Sequence, residues 1–220
     1  MPDPGYPVSR AKRGRKLAKS LILAILKDRF FGLMSTPDPA KDPPCAIAIL
    51  QGGRSRRMGT DKRTLVLGGL PLLEHITKTS QSTGCNVFGV EEDLQAGQGP
   101  LGGVETAFAT FPVDWILFLP CDMPFLRSDT MLHVLRTAIG SGRAVFAEVE
   151  GRIGFPFALS REHLGEVRQR LRAGQRSLKG LARALNGAGL RFSEEEAVQF
   201  LNINKPEDLE TARRWWDRRQ

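Results

Sequence analysis

From residue 45 onward the chain alternates short, unbroken apolar runs with longer amphipathic stretches. Ala46-Ile47-Ala48-Ile49-Leu50 carries no polar position, the pattern of a strand covered on both faces. Trp115-Ile116-Leu117-Phe118-Leu119 repeats it, and residues 86–90, 144–149 and 155–159 read as further strands. Residues 63–67 read as a short strand turning at Gly68-Gly69, and another short strand is expected near residues 200–203. The amphipathic stretches predict helices: one from Pro71 at a first helical position to about Thr83, one over 101–110, and one capped by Ser128 and running to Ile139. Three more follow over 161–172, 177–185 and 206–216. Strands separated by helices predict an α/β fold, a mostly parallel sheet with flanking helices.

The 220 residues suffice for one α/β domain with a modest extension. The division expected is a basic N-terminal extension with a Pro-rich linker, residues 1–43, and a folded domain, residues 44–220. Residues 10–33 suit a basic amphipathic helix, and residues 35–44, with four prolines, cannot continue it. Charge sharpens this picture. Of the net +8, +6 belongs to residues 1–33, where eight Lys/Arg face only Asp3 and Asp28. The domain itself is close to neutral, which argues against nucleic acid as its specific partner. The extension suits either a tether to an anionic surface or a segment without function, and Met34 is an alternative initiator. The apolar run 21–26 is far shorter than the ~20 residues of a membrane span. Lys27, Asp28 and Arg29 break it and no small-residue cleavage site follows, so a cytoplasmic location is expected. Cys45, Cys85 and Cys121 have no metal-like spacing, and neither a disulfide nor a zinc site is expected.

The first chemical signal is Leu50-Gln51-Gly52-Gly53-Arg54-Ser55-Arg56-Arg57-Met58-Gly59-Thr60-Asp61-Lys62, directly after a strong strand. The glycine pair lets the backbone approach a phosphate with its amides turned inward, and Arg57 and Lys62 add fixed positive charge. It is neither a P-loop nor a dinucleotide fingerprint. A flexible basic loop is the plain alternative. The second signal is Pro120-Cys121-Asp122-Met123-Pro124, at the carboxyl end of a predicted strand, where open α/β sheets bind ligands. A carboxylate there suits Mg2+, which favours hard oxygen ligands and substrate phosphates, although a turn aspartate would look the same. Two further segments are the acidic Glu91-Glu92-Asp93 ahead of Gly99-Pro100-Leu101-Gly102-Gly103, and Asn202-Ile203-Asn204-Lys205-Pro206. The first also fits a solvated acidic loop. The second also fits an asparagine closing a strand and capping the last helix.

Leu50–Lys62 resembles the signature of nucleotidyltransferases that activate small phosphorylated molecules, and the whole set of blocks over 45–216 resembles the molybdenum cofactor guanylyltransferases. The resemblance implies a Rossmann-like nucleotidyltransferase fold. It implies Asp122 as the metal ligand, with Mg2+ as cofactor, and Arg57, Lys62 and Asp122 as catalytic residues. It implies a nucleotide site formed by Leu50, Gln51, Gly52, Gly53, Lys62, Asp93 and Asp122. The activity implied is transfer of GMP from GTP to molybdopterin, releasing pyrophosphate and giving the guanine dinucleotide cofactor, in a monomer. A CTP- or sugar-phosphate-specific enzyme and a non-catalytic nucleotide-binding relative are the alternatives.

Two departures from the pattern stand out. Gln51 replaces the usual alanine, and its longer side chain is expected to crowd the base. Only residues 72–85 separate the first loop and hairpin from the strand at Asn86, so one strand–helix unit is missing, and with it a nucleotide contact, often an asparagine, that relatives carry.

Overall fold

Cys45–Leu50 (β1) is buried along its whole length, as an unbroken apolar run between two neighbouring strands requires. The computed structural model describes residues 45–51, 65–91 and 97–218; the expected extension, residues 1–43, lies outside them. β1 pairs in parallel with Asn86–Val90 (β4) on one side and Trp115–Pro120 (β5) on the other. Val145–Val149 (β6), Arg152–Ser160 (β7) and Ala188–Arg191 (β8) complete a six-stranded sheet in the order β4-β1-β5-β7-β6-β8. Only β7 runs against the others, so the expected mostly parallel sheet is present.

The strands alternate their side chains between two apolar layers, as period-2 geometry dictates. Ala46, Ala48, Leu50, Ile116 and Phe118 face one layer, closed by Pro100–Thr110 (α2), Leu164–Arg172 (α4) and Leu178–Ala184 (α5) through Leu101, Val104, Phe108, Val167 and Leu181. Cys45, Ile47, Ile49, Leu117 and Leu119 face the other, closed by Leu72–Gln81 (α1) and Ser128–Ser141 (α3) through Ile76, Met131, Val134 and Leu135. Three phenylalanines stack across β5, β7 and β6: Phe118 on Phe157 at 5.0 Å and Phe146 on Phe157 at 5.4 Å, ring centroid to centroid. Each such pair adds about 0.5–1.5 kcal/mol beyond its buried area. The β6–β7 register shifts after Phe146↔Phe157, and Pro156, which has no N–H for the ladder, sits in the shift.

A third cluster joins the small hairpin of Val66–Leu67 (β2) and Leu70–Pro71 (β3) to the last helix, Pro206–Asp217 (α6), through Leu67, Leu72, Ile203, Leu209 and Ala212. The hairpin turns on Gly68 and Gly69, both at positive φ (55° and 84°), as a two-residue turn of this hand needs. Trp216 lies flat against Gly68, and the ring of His75 donates from Nε2 to the Leu67 carbonyl at 2.8 Å.

Several local expectations need correction. Residues 200–203 do not form a strand: Ala197–Phe200 is a short 3-10 helix, and the chain leaves it extended, with the Ile203 N–H committed to a loop carbonyl rather than to a sheet neighbour. The real last strand is β8, whose sequence Ala188-Gly189-Leu190-Arg191 carries little β signal and is drawn into the sheet by pairing with β6. Ser128 is the first residue of α3 rather than its cap; Arg127 holds the cap position, and the Thr130 N–H is taken by Asp129 Oδ1 at 2.7 Å. Pro71 closes β3 and precedes α1, because its backbone is extended (ψ 146°). Finally, one helix and one sheet strand alone stand between β1 and α2, so β4 is the edge of the sheet among the described residues. Among the described residues the unit read from the spacing as missing is absent.

Candidate active site

Because β1, β4 and β5 are parallel and in register, their carboxyl ends open onto one edge of the sheet. Leu50 pairs with Val90 on one side and Pro120 on the other. The segments leaving these three strands therefore start side by side, at the place where open α/β sheets build their ligand sites. Gln51 is the first residue past β1; its backbone N–H donates to the Val90 carbonyl at 2.8 Å, continuing the ladder one step beyond the strand. Its side chain extends over Gly89 of β4, where a Cβ would stand 3.2 Å from Gln51 Cδ and overlap the amide nitrogen. The long side chain is thus accommodated by a glycine on the edge strand.

The glycine block 99–103 forms the first turn of α2. Gly103 lets that turn settle on β1: a Cβ there would come within 2.9 Å of Leu50 Cδ2. The N-terminus of α2, with its positive dipole end, is thereby brought beside the end of β1.

Asp122 lies two residues beyond β5, buried in a turn of apolar neighbours, Cys121, Met123, Phe125 and Leu126. The Asn202-Ile203-Asn204 segment is tied to it: the Ile203 N–H donates to the Asp122 carbonyl at 2.9 Å. Two segments separated by some eighty residues, each singled out by the sequence, are therefore held together in space. Asn202 Oδ1 is buried and accepts no hydrogen bond among the described residues. The alternative role for the asparagines, capping the last helix, belongs to Asp208 instead, whose Oδ2 accepts from the N–H groups of Asn204 (2.8 Å) and Lys205 (2.9 Å). Gln199, which the sequence reading passed over, braces this region: its Oε1 accepts from Thr130 Oγ1 at 2.7 Å and from the Arg127 N–H at 3.3 Å. A polar residue beside an apolar one in a short 3-10 turn leaves no periodic signal.

Beside this segment opens a cleft of about 770 Å³, with Met123, Phe155, Phe200, Asn202 and Trp215 in its walls and Glu150, Glu194 and Glu195 among its polar groups. Gly52, Gly53, Arg57, Lys62 and Asp93 lie outside the described residues. No group of three or more potential His, Cys, Asp or Glu ligands occurs among the described residues. The described oxygen donors near the strand ends are hard ones, the Asp122 carboxylate and the Asn202 amide oxygen, a set that suits a cation such as Mg2+ that completes its shell with phosphate oxygens and water. None of the described helices is long and apolar enough to cross a membrane.

Comparison with known proteins agrees with this architecture. A molybdenum cofactor guanylyltransferase of Haemophilus influenzae is 34% identical over 184 residues, covering 74% of this chain and 95% of the relative. One from Pseudomonas aeruginosa strain PAO1 is 31% identical over 198 residues, covering 80% and 98%. Among solved structures, molybdopterin-guanine dinucleotide biosynthesis protein A of Archaeoglobus fulgidus superposes with a TM-score of 0.65 at 21% identity, covering 79% of this chain and 99% of that one. The 4-diphosphocytidyl-2C-methyl-D-erythritol synthase of Anaerococcus prevotii superposes at 0.64 with 12% identity, covering 79% and 96%, and shares the fold. Residues 47–189 match the MobA-like NTP transferase domain. With the strand-end site, the sheet order and these matches together, the chain belongs to the MobA-like NTP transferase family and is a nucleotidyltransferase.

Proposed function

We propose that this nucleotidyltransferase transfers GMP from GTP to the terminal phosphate of molybdopterin, releasing pyrophosphate and forming the guanine dinucleotide cofactor. The observation that carries the reading is the register Val90–Leu50–Pro120, which starts the phosphate-loop segment and the Asp122 turn from adjacent strands at one edge. The names of the relatives supply the substrates, guanylyl donor and molybdenum cofactor acceptor.

In this reading the amides of Gly52 and Gly53 cradle the phosphates, and Arg57 and Lys62 offset the charge that grows on them as the bond to pyrophosphate breaks. Leu50, Gln51 and Asp93 contact the nucleoside. A divalent cation, Mg2+ in this proposal, would be held by Asp122, with Asn202 beside it, and would supply neutralisation of phosphate charge. The acceptor enters the cleft beside Asn202. Its walls, Phe155, Phe200 and Trp215, present apolar faces to a flat heterocycle. Its phosphate oxygen attacks the α-phosphorus of GTP, the α–β bridging bond breaks, and pyrophosphate departs without a covalent enzyme intermediate. In this reading the enzyme works in the cytoplasm and as a monomer.

The test is pyrophosphate release from GTP and from CTP with molybdopterin as acceptor, with Asp122→Asn as control. Turnover of GTP, lost by at least a hundredfold in the variant, is expected. Turnover of CTP alone would discard the guanylyl assignment while leaving the site intact, and equal activity of Asp122→Asn would discard the site.

A further inference from the structure

The three cysteines are thiols rather than half-cystines. Two of them lie side by side: Cys45, which opens β1, and Cys85, in the bend just before β4, with their thiols within hydrogen-bond reach of each other. β1 and β4 pair in parallel from Ala46 opposite Asn86 onward, and the same register carried one step back, just beyond the ladder, faces Cys45 with Cys85. Both point to the same face: Cys45 shares it with Ile47 and Ile49, and Cys85 and Val87 pack against that cluster. Parallel neighbours lie about 4.8 Å apart, within the roughly 4.4–6.8 Å between α-carbons that a disulfide spans.

The two positions differ in access. Cys45 is 3% exposed, whereas Cys85, before the edge strand, is half-buried. The Cys85 backbone is fixed by its N–H donating to Thr83 Oγ1 at 3.2 Å. Its thiol is lowered to about 6, first by a hydrogen bond from Cys45 and further by Thr83 and the Arg136 guanidinium, against the opposing effect of burial. A partly accessible thiol of lowered pKa beside a buried thiol is the arrangement of an attacking and a resolving cysteine.

We propose that Cys45 and Cys85 are a redox-modification site, closing to a reversible disulfide on contact with a hydroperoxide and fastening β1 to the edge strand β4. The Cys85 sulfur attacks one peroxide oxygen, the O–O bond breaks, and with hydrogen peroxide the other oxygen leaves as hydroxide and becomes water. Cys85 is then a sulfenic acid. Cys45 loses its proton as its sulfur displaces the second hydroxide, which also becomes water, and the S–S bond forms. Two thiols and one hydrogen peroxide give one disulfide and two waters, with two electrons passing to the peroxide. Thiol exchange reverses it. The bond lies at the amino ends of the strands, opposite Asp122, and closes the chain over residues 46–84, the stretch that carries Gly52, Gly53, Arg57 and Lys62. It restricts the unfolded chain without entering the nucleotide edge.

The experiment treats the full chain with hydrogen peroxide, blocks remaining thiols by alkylation, and maps peptides without reduction. The expected result is loss of two of the three thiols, a linked Cys45–Cys85 peptide pair lighter by two hydrogens than its reduced parts, a raised melting temperature, and full reversal by dithiothreitol. Cys85→Ser, at a half-exposed site, keeps both its remaining thiols under the same exposure. Cys45→Ser accumulates the sulfinic acid on Cys85. Oxidation of wild-type Cys85 to sulfinic acid with Cys45 still alkylated, linkage between two chains, or no thiol loss would each overturn the proposal.

Discussion

The carboxamide of Gln51 lies across the α-carbon of Gly89, on the neighbouring strand, in space that any side chain at 89 would fill. This contact explains how a glutamine is housed at the first position past β1. Gly89→Ala removes the space. The overlap falls on the far end of a flexible side chain, so Gln51 moves to another rotamer at a cost of about 0.5–1.5 kcal/mol, largely offset by the roughly 0.5–1 kcal/mol that alanine gains over glycine in a strand. Stability should barely change. The displaced amide must turn toward the nucleotide edge instead, and KM for the nucleotide should rise severalfold. Gln51→Ala in the same chain should restore it. A double-mutant cycle on KM reads the coupling, on the order of 1 kcal/mol; independent effects of the two changes would show that the contact does not govern the site.

Trp216 and Gly68 give a second such pair, with a different outcome. A Cβ at 68 would run into the indole ring itself, and the residue sits at φ 55°. Gly68→Ala therefore combines a left-handed backbone cost of about 1–2 kcal/mol with displacement of a ring packed in the third cluster. Trp216→Ala makes no clash but leaves a void, for which about 3 kcal/mol is expected if the packing does not collapse. Because this hairpin follows the phosphate-loop segment directly, both variants should lower the urea midpoint and weaken triphosphate binding together. A loss of stability with unchanged nucleotide affinity would separate the hairpin from the loop it follows.

Five of the six sheet strands were legible in the sequence, most plainly the two buried on both faces. β1 and β5 have no polar position, and only one environment suits such a run. β8 escaped because Ala188-Gly189-Leu190-Arg191 has neither apolar continuity nor β-branched residues; its strand state comes from the ladder β6 offers. Residues 200–203 misled for the opposite reason. Phe200, Leu201 and Ile203 are apolar because each packs in a cluster, Phe200 beside α3 and the other two against α6, and not because they alternate across a sheet. At the strand ends, the position of Asp122 just past β5 was legible. What no local pattern contains is the bond between Ile203 and the Asp122 carbonyl, which sets Asn202 beside it, or the glycine on β4 that makes room for Gln51.

His163 makes folding depend on pH. Its Nδ1 accepts the Ser160 N–H at 2.9 Å, with Ser160 Oγ at 3.1 Å, so the folded state uses the unprotonated nitrogen. Burial holds its pKa below the usual 6.5, outweighing the neighbouring Glu162 charge, which acts the other way. The unfolded chain then binds the proton more readily than the native one. This contribution to stability is fully present above the ordinary histidine pKa of 6.5 and is lost as the pH falls below it through the lower folded value. Urea midpoints measured between about pH 8 and 5 should fall toward the acid end, in the range where few carboxylates titrate. His163→Asn keeps an acceptor for the Ser160 N–H without a titrating ring, and should reduce the slope in this range to the part that Cys85, lowered to about 6, contributes with the same sign, while costing about 1 kcal/mol or less at pH 8. If the variant retained the full acid slope, the proton uptake would belong to another group, and the Ser160–His163 contact would be structural only.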